Sequence, residues 1–178
     1  VGLRPMVQDI ADDDWLLRPA LIPAFEALEA QGLVFDALVL PRHLARLLTV
    51  VRRHPGLTFV IDHLAKPRVA DGLREPWQSD IAALAGLPNT VCKLSGLVTE
   101  ARPDWAFADL APYMAHVISA FGYGRVMWGS DWPVVNLAGG YDAWRAAAER
   151  LLIGSDTAGA DVLGRVAERI YLPGRGGH

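Results

Sequence analysis

Five short apolar runs recur along the chain, and their spacing limits the folds that this sequence can adopt. They are GLRPMVQ (2–8), LVFDALVL (33–40), LTFVIDHL (57–64), NTVCKLSGL (89–97) and RVMWGSD (125–131). Their starts lie 24 to 36 residues apart, which is the length of one strand–helix–strand unit. Because the runs are continuously apolar and do not alternate with polar residues, they are typical of a parallel sheet covered on both faces.

The segments between these runs show the 3.6-residue spacing of amphipathic helices. The helical faces lie within 21–28, 44–51, 81–87, 110–121 and 144–152. A last helix is predicted through Val162, Val166 and Ile170, before a short tail, 173–178, that we expect to be flexible. The chain therefore reads as five repeated β/α units.

Repeated units of this kind form either an open doubly wound sheet or a (β/α)8 barrel. No glycine-rich phosphate loop of the GxGxxG or GxxxxGK[ST] type follows any of the runs, which disfavours a nucleotide-binding sheet. The sequence thus predicts an α/β fold of the TIM-barrel class. A complete barrel takes about 250 residues, so three of the eight units are expected to be missing from this chain.

Composition excludes several classes of function. The chain has 178 residues, 52% of them hydrophobic, and a net charge of −3 without a basic cluster, so no nucleic-acid partner is expected. No apolar run approaches the roughly 18 residues of a membrane span, and no membrane partner is expected. The single cysteine, Cys92, cannot form an internal disulfide, which favours a reducing compartment such as the cytoplasm. Cys92 itself is interpreted as a core residue, with a catalytic thiol as the alternative.

Two residues at predicted strand ends are the strongest candidates for catalysis, because barrel enzymes carry their chemistry at the carboxyl ends of the strands. His63 follows FVID and is suited to a general base, an oxyanion donor or a metal ligand. Its structural alternative is a core histidine bonded to the backbone. Asp131 lies between Trp128 and Trp132, where partial shielding suits a proton acceptor or a metal ligand. Its structural alternative is a helix cap, which Pro133 disfavours.

Six further residues are candidates for substrate binding. They are Arg4, Gln8, Trp15, Lys93, Ser95 and Trp132. Lys93 and Ser95 share one face of their strand, where they could hold a polar substrate, or Lys93 could form a salt bridge inside the barrel.

For two of these six, Arg4 and Trp15, the alternative to substrate binding is a structural role. Arg4 could clamp a carboxylate with two hydrogen bonds or pair with Asp36 as a structural bridge. Trp15 could stack on a sugar ring or pack in the core. Asp36 itself is expected in a polar layer of the barrel.

The five motifs together resemble a known family. GLRPMVQ, LVFDALVL, FVIDHLAKP, VCKLSGLVTEA and VMWGSDWPV, in this order, are similar to the C-terminal part of the amidohydrolase-related sugar lactonases of the L-fuconolactonase type. The resemblance runs from Gly2 to about Leu172. FVIDHLAKP and GSDWP, about 65 residues apart, are more specific as a pair than either is alone.

The resemblance implies that residues 1–172 form the last five β/α units of a barrel that hydrolyses a sugar-acid lactone. It implies that Asp131 is the base that activates water, or a metal ligand. It implies that His63 polarises the lactone carbonyl or shares in metal binding. The implied cofactor is either none or one divalent metal, with zinc favoured, and the implied partner is a small-molecule lactone. A homo-oligomer is possible.

The sequence also departs from the family pattern. It contains no H-x-H motif, and it has GLRP, with Pro5, where relatives often have GxRH. We therefore expect a fragment of a longer protein that is inactive alone, since an open arc of five strands would expose two sheet edges and half a core. Two alternative functions stay open. One is a metal-dependent decarboxylase or C–N hydrolase of the same superfamily, and the other is a truncated, non-catalytic domain that binds a sugar acid.

Overall fold

The structure, a computed structural model, describes residues 1–172 of the chain. It contains one parallel sheet in the order β1-β2-β3-β4-β5, so each strand pairs with the next strand along the chain. The strands are β1 (Gly2–Leu3), β2 (Val34–Ala37), β3 (Thr58–Ile61), β4 (Thr90–Leu94) and β5 (Val126–Trp128). The five predicted β/α units are confirmed, while the predicted tail lies outside the described residues.

Within residues 1–172 seven α-helices accompany the strands, and each predicted helical face overlaps one of them. They are α1 (Ile22–Ala30), α2 (Leu44–Arg53), α3 (Trp77–Ala85), α4 (Phe107–Phe121), α5 (Gly140–Leu152), α6 (Asp156–Ala160) and α7 (Val166–Tyr171). The predicted last helix is divided into α6 and α7 by one π-helical turn, Asp161–Arg165.

The first strand is shorter than the predicted run, 2–8. Only Gly2 and Leu3 pair, with Val34 and Phe35 of β2. Pro5 lacks the N–H that a further ladder bond would need, and a short 3-10 turn, Val7–Asp9, follows it. The first strand therefore gives way early to a loop at the carboxyl edge of the sheet.

One face of the sheet packs against helices α1 to α5. Phe35 and Phe59 point to this face, with their ring centroids 5.6 Å apart, and Phe25 of α1 lies 5.2 Å from Phe35. Cys92 is fully buried on the same side, and burial raises the pKa of its thiol. The interpretation of Cys92 as a core residue therefore agrees with its environment, because a buried, protonated thiol is a poor nucleophile.

The opposite face, called the inner face here, carries a second apolar cluster. Its strand residues are Val34, Val60, Val91 and Met127, and α7 covers them with Val166 and Ile170. The expectation that half a core would be exposed is wrong for these residues, because the C-terminal helix packs on them. The edge strand β1 is exposed, as expected.

No helix within the described part of the chain is long and apolar enough to cross a membrane.

Truncation of the aromatic cluster tests this packing. We expect Phe59→Ala to lower the free energy of unfolding by about 3–5 kcal/mol, because Phe59 is fully buried between Phe25 and Phe35. Ile153→Ala is the matched control, and it should change stability by less than about 0.5 kcal/mol because Ile153 is exposed. Urea unfolding followed by tryptophan fluorescence measures both. Equal midpoints for the two variants would contradict the assigned core.

Candidate active site

Parallel pairing in unbroken order brings the carboxyl ends of all five strands to one edge of the sheet. His63 follows β3, Ser95 follows β4 and Asp131 follows β5. In β/α folds this edge carries the functional groups, because the loops after the strands are free to vary there. The candidate site is built from these three side chains.

The backbone after β3 makes a left-handed turn. His63, Leu64, Ala65 and Lys66 all have φ between 53° and 58°, although none of them is glycine. Such a conformation costs roughly 1–2 kcal/mol for each residue, so neighbouring contacts must hold it. The Lys66 amide donates to the His63 carbonyl at 2.7 Å, and the buried indole of Trp77 donates to the Leu64 carbonyl at 2.6 Å.

The turn directs the His63 imidazole between two side chains. Nδ1 lies 2.8 Å from Oγ of Ser95, and Nε2 lies 3.6 Å from Oδ1 of Asp131. Gly96 makes room for the ring, since a Cβ on Gly96 would lie 2.6 Å from Nδ1. The structure therefore brings together His63, Asp131 and Ser95, three of the residues that the sequence singled out.

The imidazole of His63 is neutral near pH 7. Burial lowers the pKa of His63 to about 4, although the neighbouring Asp131 carboxylate acts in the opposite direction. A carboxylate beside Nε2 favours the tautomer with the proton on Nε2, and the Ser95 hydroxyl then donates to Nδ1. In this arrangement Ser95 orients a ring that presents an N–H donor on the side of Asp131.

Asp131 also has a left-handed backbone, with φ of 57°, and its side chain is 15% exposed. It does not cap a helix, because α5 begins only at Gly140. Trp132 is 68% exposed, so most of its surface faces solvent, and its shielding of Asp131 stays a prediction. Trp128 packs edge to face on Tyr141 of α5. Asp131 is therefore a partly buried carboxylate without a capping role, next to a neutral histidine.

Lys93 lies in a polar cluster on the inner face. Its ammonium donates a hydrogen bond to Oδ1 of Asp36 at 3.2 Å. It also forms an ion pair with Asp62, with 2.8 Å between Nζ and Oδ1, but the angle of this contact does not suit a hydrogen bond. The Tyr171 hydroxyl also donates to Asp36, and burial, followed by this bond, raises the pKa of Tyr171. The salt bridge inside the barrel is thus present, and Asp36 lies in the expected polar layer.

Three predicted substrate-binding residues lie outside the His63–Asp131 contact. Arg4 is half exposed, and its Nη1 lies 4.0 Å from Oδ2 of Asp62. Asp36 is bonded instead to Lys93 and Tyr171, so the predicted pairing of Arg4 with Asp36 is wrong.

The other two lie near the first strand. Gln8 has a buried side-chain oxygen that accepts no hydrogen bond from the described residues. Trp15 is partly buried against the core on a 3-10 turn, Trp15–Leu17. Their contact with a substrate stays a prediction.

Sequence reasoning missed two charged residues near the site. Lys66 ends the left-handed turn, and its ammonium lies 3.7 Å from Oε1 of Glu100 in the loop after β4. The available signal was that Lys66 and Glu100 fall in the motifs FVIDHLAKP and KLSGLVTEA. Tyr171 offered no local signal, because it lies 135 residues from Asp36.

The described residues do not form a complete metal site. His63 and Asp131 supply two donors, and no group of three His, Cys, Asp or Glu side chains that could hold a metal occurs within 1–172. Catalytic zinc has about three protein ligands. A metal held by His63 and Asp131 would therefore need further ligands, and the site chemistry below is derived from the side chains alone.

Comparison with known proteins assigns the chain to a family. The amidohydrolase family profile matches residues 1–172, and the chain belongs to this family. It is 52% identical over 152 residues to L-fucono-1,5-lactonase of Burkholderia ambifaria, a match that covers 84% of this chain and 52% of the relative. It is 38% identical over 162 residues to L-fucono-1,5-lactonase of Burkholderia multivorans, covering 84% and 54%. The chain thus spans about half the length of these relatives.

A solved structure supports the fold assignment. An amidohydrolase from Burkholderia multivorans with bound zinc superposes with a TM-score of 0.91 at 35% identity, covering 96% of this chain and 64% of that one. The resemblance to the sugar lactonases is therefore confirmed, and so is the fold class, an α/β fold consistent with part of a (β/α)8 barrel.

The space beside Gly96 can be tested directly. We expect Gly96→Ala to displace the His63 ring from Ser95, because the added methyl would overlap the imidazole and because Gly96 has a φ of +62°. The displaced ring should gain solvent, so the pKa of His63 should rise from about 4 toward 6.5. Gly124→Ala is the control, since no atom lies within 4 Å of its added Cβ. An unchanged His63 titration in Gly96→Ala would contradict the described contact.

The coupling of His63 to Asp131 predicts a second titration result. In NMR spectra His63 should stay neutral until about pH 4. The Asp131 carboxylate stabilises the imidazolium ion of His63, so its removal in Asp131→Asn should lower the pKa of His63 further. The His63 signal is assigned with His63→Gln. A rise in the His63 pKa on replacement of Asp131 would show that the two groups do not interact as described.

Proposed function

We propose that this chain carries the catalytic base and the carbonyl-polarising histidine of an enzyme that hydrolyses a sugar-acid lactone. The observation that carries the proposal is the placement of a neutral imidazole 3.6 Å from a partly buried carboxylate at the carboxyl edge of a parallel sheet. The family membership and the names of the two Burkholderia relatives support the choice of a lactone.

Ester hydrolysis needs a base for water and a donor for the carbonyl oxygen. Asp131 takes a proton from water as the water oxygen attacks the lactone carbonyl. The Nε2–H of His63 donates to that carbonyl oxygen as it becomes negative. Each such group typically increases the rate of hydrolysis by a factor of about 10² to 10⁴.

The environment of each group suits its role. A neutral imidazole keeps one N–H for the oxyanion, and Ser95 fixes the ring so that this N–H faces the reacting carbonyl. Asp131 is partly buried, with 15% of its side chain exposed, so its carboxylate can reach both a bound water molecule and a substrate in the site. The 3.6 Å gap exceeds a direct hydrogen bond, which leaves both groups free to contact substrate and water.

The relatives and the composition support a proposal for the substrate class and the compartment. We propose L-fucono-1,5-lactone or a closely related aldonolactone as substrate, since both lactonase relatives carry that name. We place the protein in the cytoplasm, because its one cysteine is buried and unpaired. One divalent metal, zinc by analogy with the zinc-bound neighbour, would be held by His63 and Asp131 together with further ligands.

We further propose that residues 1–172 are the last five β/α units of the barrel. The family match over this range and its coverage of about half of each lactonase support this division. The first three units would supply the H-x-H motif and the rest of the substrate pocket. Lactone turnover is therefore best assayed both with the chain itself and with the chain joined to the N-terminal part of the B. ambifaria relative.

Replacement of Asp131 tests the proposed base. We expect Asp131→Asn to lower kcat/KM for L-fucono-1,5-lactone by about 10² to 10⁴, because the amide cannot take a proton from water. Asp104→Asn is the matched control, since Asp104 is exposed and outside the site. If Asp131→Asn and Asp104→Asn retain equal activity, Asp131 is not the base. If the lactone binds without turnover in either form of the protein, the non-catalytic alternative is correct.

A further inference from the structure

The chain contains fifteen arginines and only two lysines, Lys66 and Lys93, and both lysines lie near the carboxyl edge of the sheet. The two side chains differ in chemistry, because an arginine keeps its proton in proteins whereas a lysine ammonium can give one up. A chain that uses arginine at nearly all cationic positions therefore places its two proton-exchanging cations next to its candidate site.

The two lysines have different surroundings. Lys93 is bonded to Asp36 and paired with Asp62 on the inner face, so its charge is neutralised by two carboxylates. Lys66 has one carboxylate partner, Glu100, at 3.7 Å. Of these two cations, Lys66 is the one that is not already enclosed by a buried ion-pair network.

Lys66 belongs to the same left-handed turn as His63. The turn begins at His63 and ends at Lys66, and the Lys66 amide bonds back to the His63 carbonyl at 2.7 Å. Burial is the largest cause of the lowered pKa of His63, and the charge of Lys66 contributes to it. The side chain of Lys66 is 23% exposed and therefore largely shielded from water.

Glu100, in the loop after β4, pairs with Lys66 in the turn after β3. Burial raises the pKa of Glu100, and the Asp131 carboxylate adds to the rise, while Lys66 opposes it. Lys66 and Glu100 thus lie in the loops after β3 and β4, the same two loops that carry His63 and Ser95.

We propose that Lys66 donates the proton to the ring oxygen that leaves when the lactone opens, and that Glu100 is a positioning residue that holds the ammonium. The inference rests on the proposed lactonase function. It assigns the second proton transfer of that reaction, which follows the transfer of a water proton to Asp131.

The step balances without a further reactant. When the tetrahedral intermediate collapses, the carbonyl double bond forms again and the bond from that carbon to the ring oxygen breaks. The ring oxygen leaves with the electron pair and takes a proton from the Lys66 ammonium, so the product is a hydroxyl group. The neutral Lys66 amine then receives the proton that Asp131 took from water, which restores both groups.

Two lactones with different leaving groups test the assignment. An aldonolactone releases an aliphatic alkoxide, which needs a proton, whereas dihydrocoumarin releases a stable phenolate. We expect Lys66→Met to lower kcat/KM for L-fucono-1,5-lactone by about 100-fold or more, but to change dihydrocoumarin hydrolysis by less than about threefold. Lys66→Arg keeps the charge and should show the same selective loss, because the guanidinium does not release its proton.

The control and the partner residue sharpen the test. Arg68→Met removes an exposed neighbouring cation that pairs with Asp71, and it should leave both reactions unchanged. Glu100→Gln should show a smaller loss with the same selectivity for the aldonolactone, since the ammonium stays but is held less firmly.

The possible outcomes separate the two proposals. Turnover by the unmodified protein with an equal loss on both lactones in Lys66→Met overturns the role of Lys66 and leaves the proposed function standing. Full activity of Lys66→Arg on the aldonolactone shows that charge alone is needed and also overturns it. A larger selective loss in Glu100→Gln than in Lys66→Met would make Glu100 the donor. No turnover of either lactone by the chain or its joined form overturns the proposed function, and this inference falls with it.

Discussion

The ion pair between Lys93 and Asp62 is the interaction on which the inner face depends. Asp62 is fully buried at the end of β3, and a buried carboxylate without a partner would be strongly unfavourable. Lys93 of β4 supplies the opposite charge and also bonds Asp36 of β2. Tyr171 of α7 donates to Asp36 and so ties the C-terminal helix to the same cluster. The Lys93 ammonium thus links side chains of β2 and of the end of β3, and Asp36 extends this cluster to α7.

The same ion pair fixes the start of the strained turn. Asp62 directly precedes the left-handed residues from His63 to Lys66, whose backbone cost sums to roughly 4–8 kcal/mol. Lys93 holds the turn at Asp62, and the Trp77 indole holds its middle at the Leu64 carbonyl. A conformation so unfavourable persists only where several contacts determine it together, and such places are commonly functional. The inner-face cluster therefore explains how His63 can be held in place.

The sequence predicted the architecture well because that architecture depends on periodicity and on a simple rule of parallel sheets. Continuous apolar runs predicted the strands. His63, Ser95 and Asp131 follow strand ends, and parallel pairing places those ends at one edge of the sheet. The left-handed turn was not predictable, because no glycine marks the positive φ values at His63 to Lys66. The cover of α7 over the inner face was not predictable either, since its contact between Tyr171 and Asp36 spans 135 residues and leaves no local pattern.

The contrast between the two lysines connects fold and chemistry. A cation that is enclosed by two carboxylates cannot turn toward a substrate without leaving a buried charge unpaired, so the ion pairs of Lys93 hold its ammonium in place. Lys66 is attached to the strained turn and has one partially buried partner, Glu100. Moving the Lys66 ammonium by a short distance breaks one partly solvated contact and leaves the backbone unchanged. The protein thus uses one lysine to hold the turn in place and leaves the other, at the end of that turn, free to react.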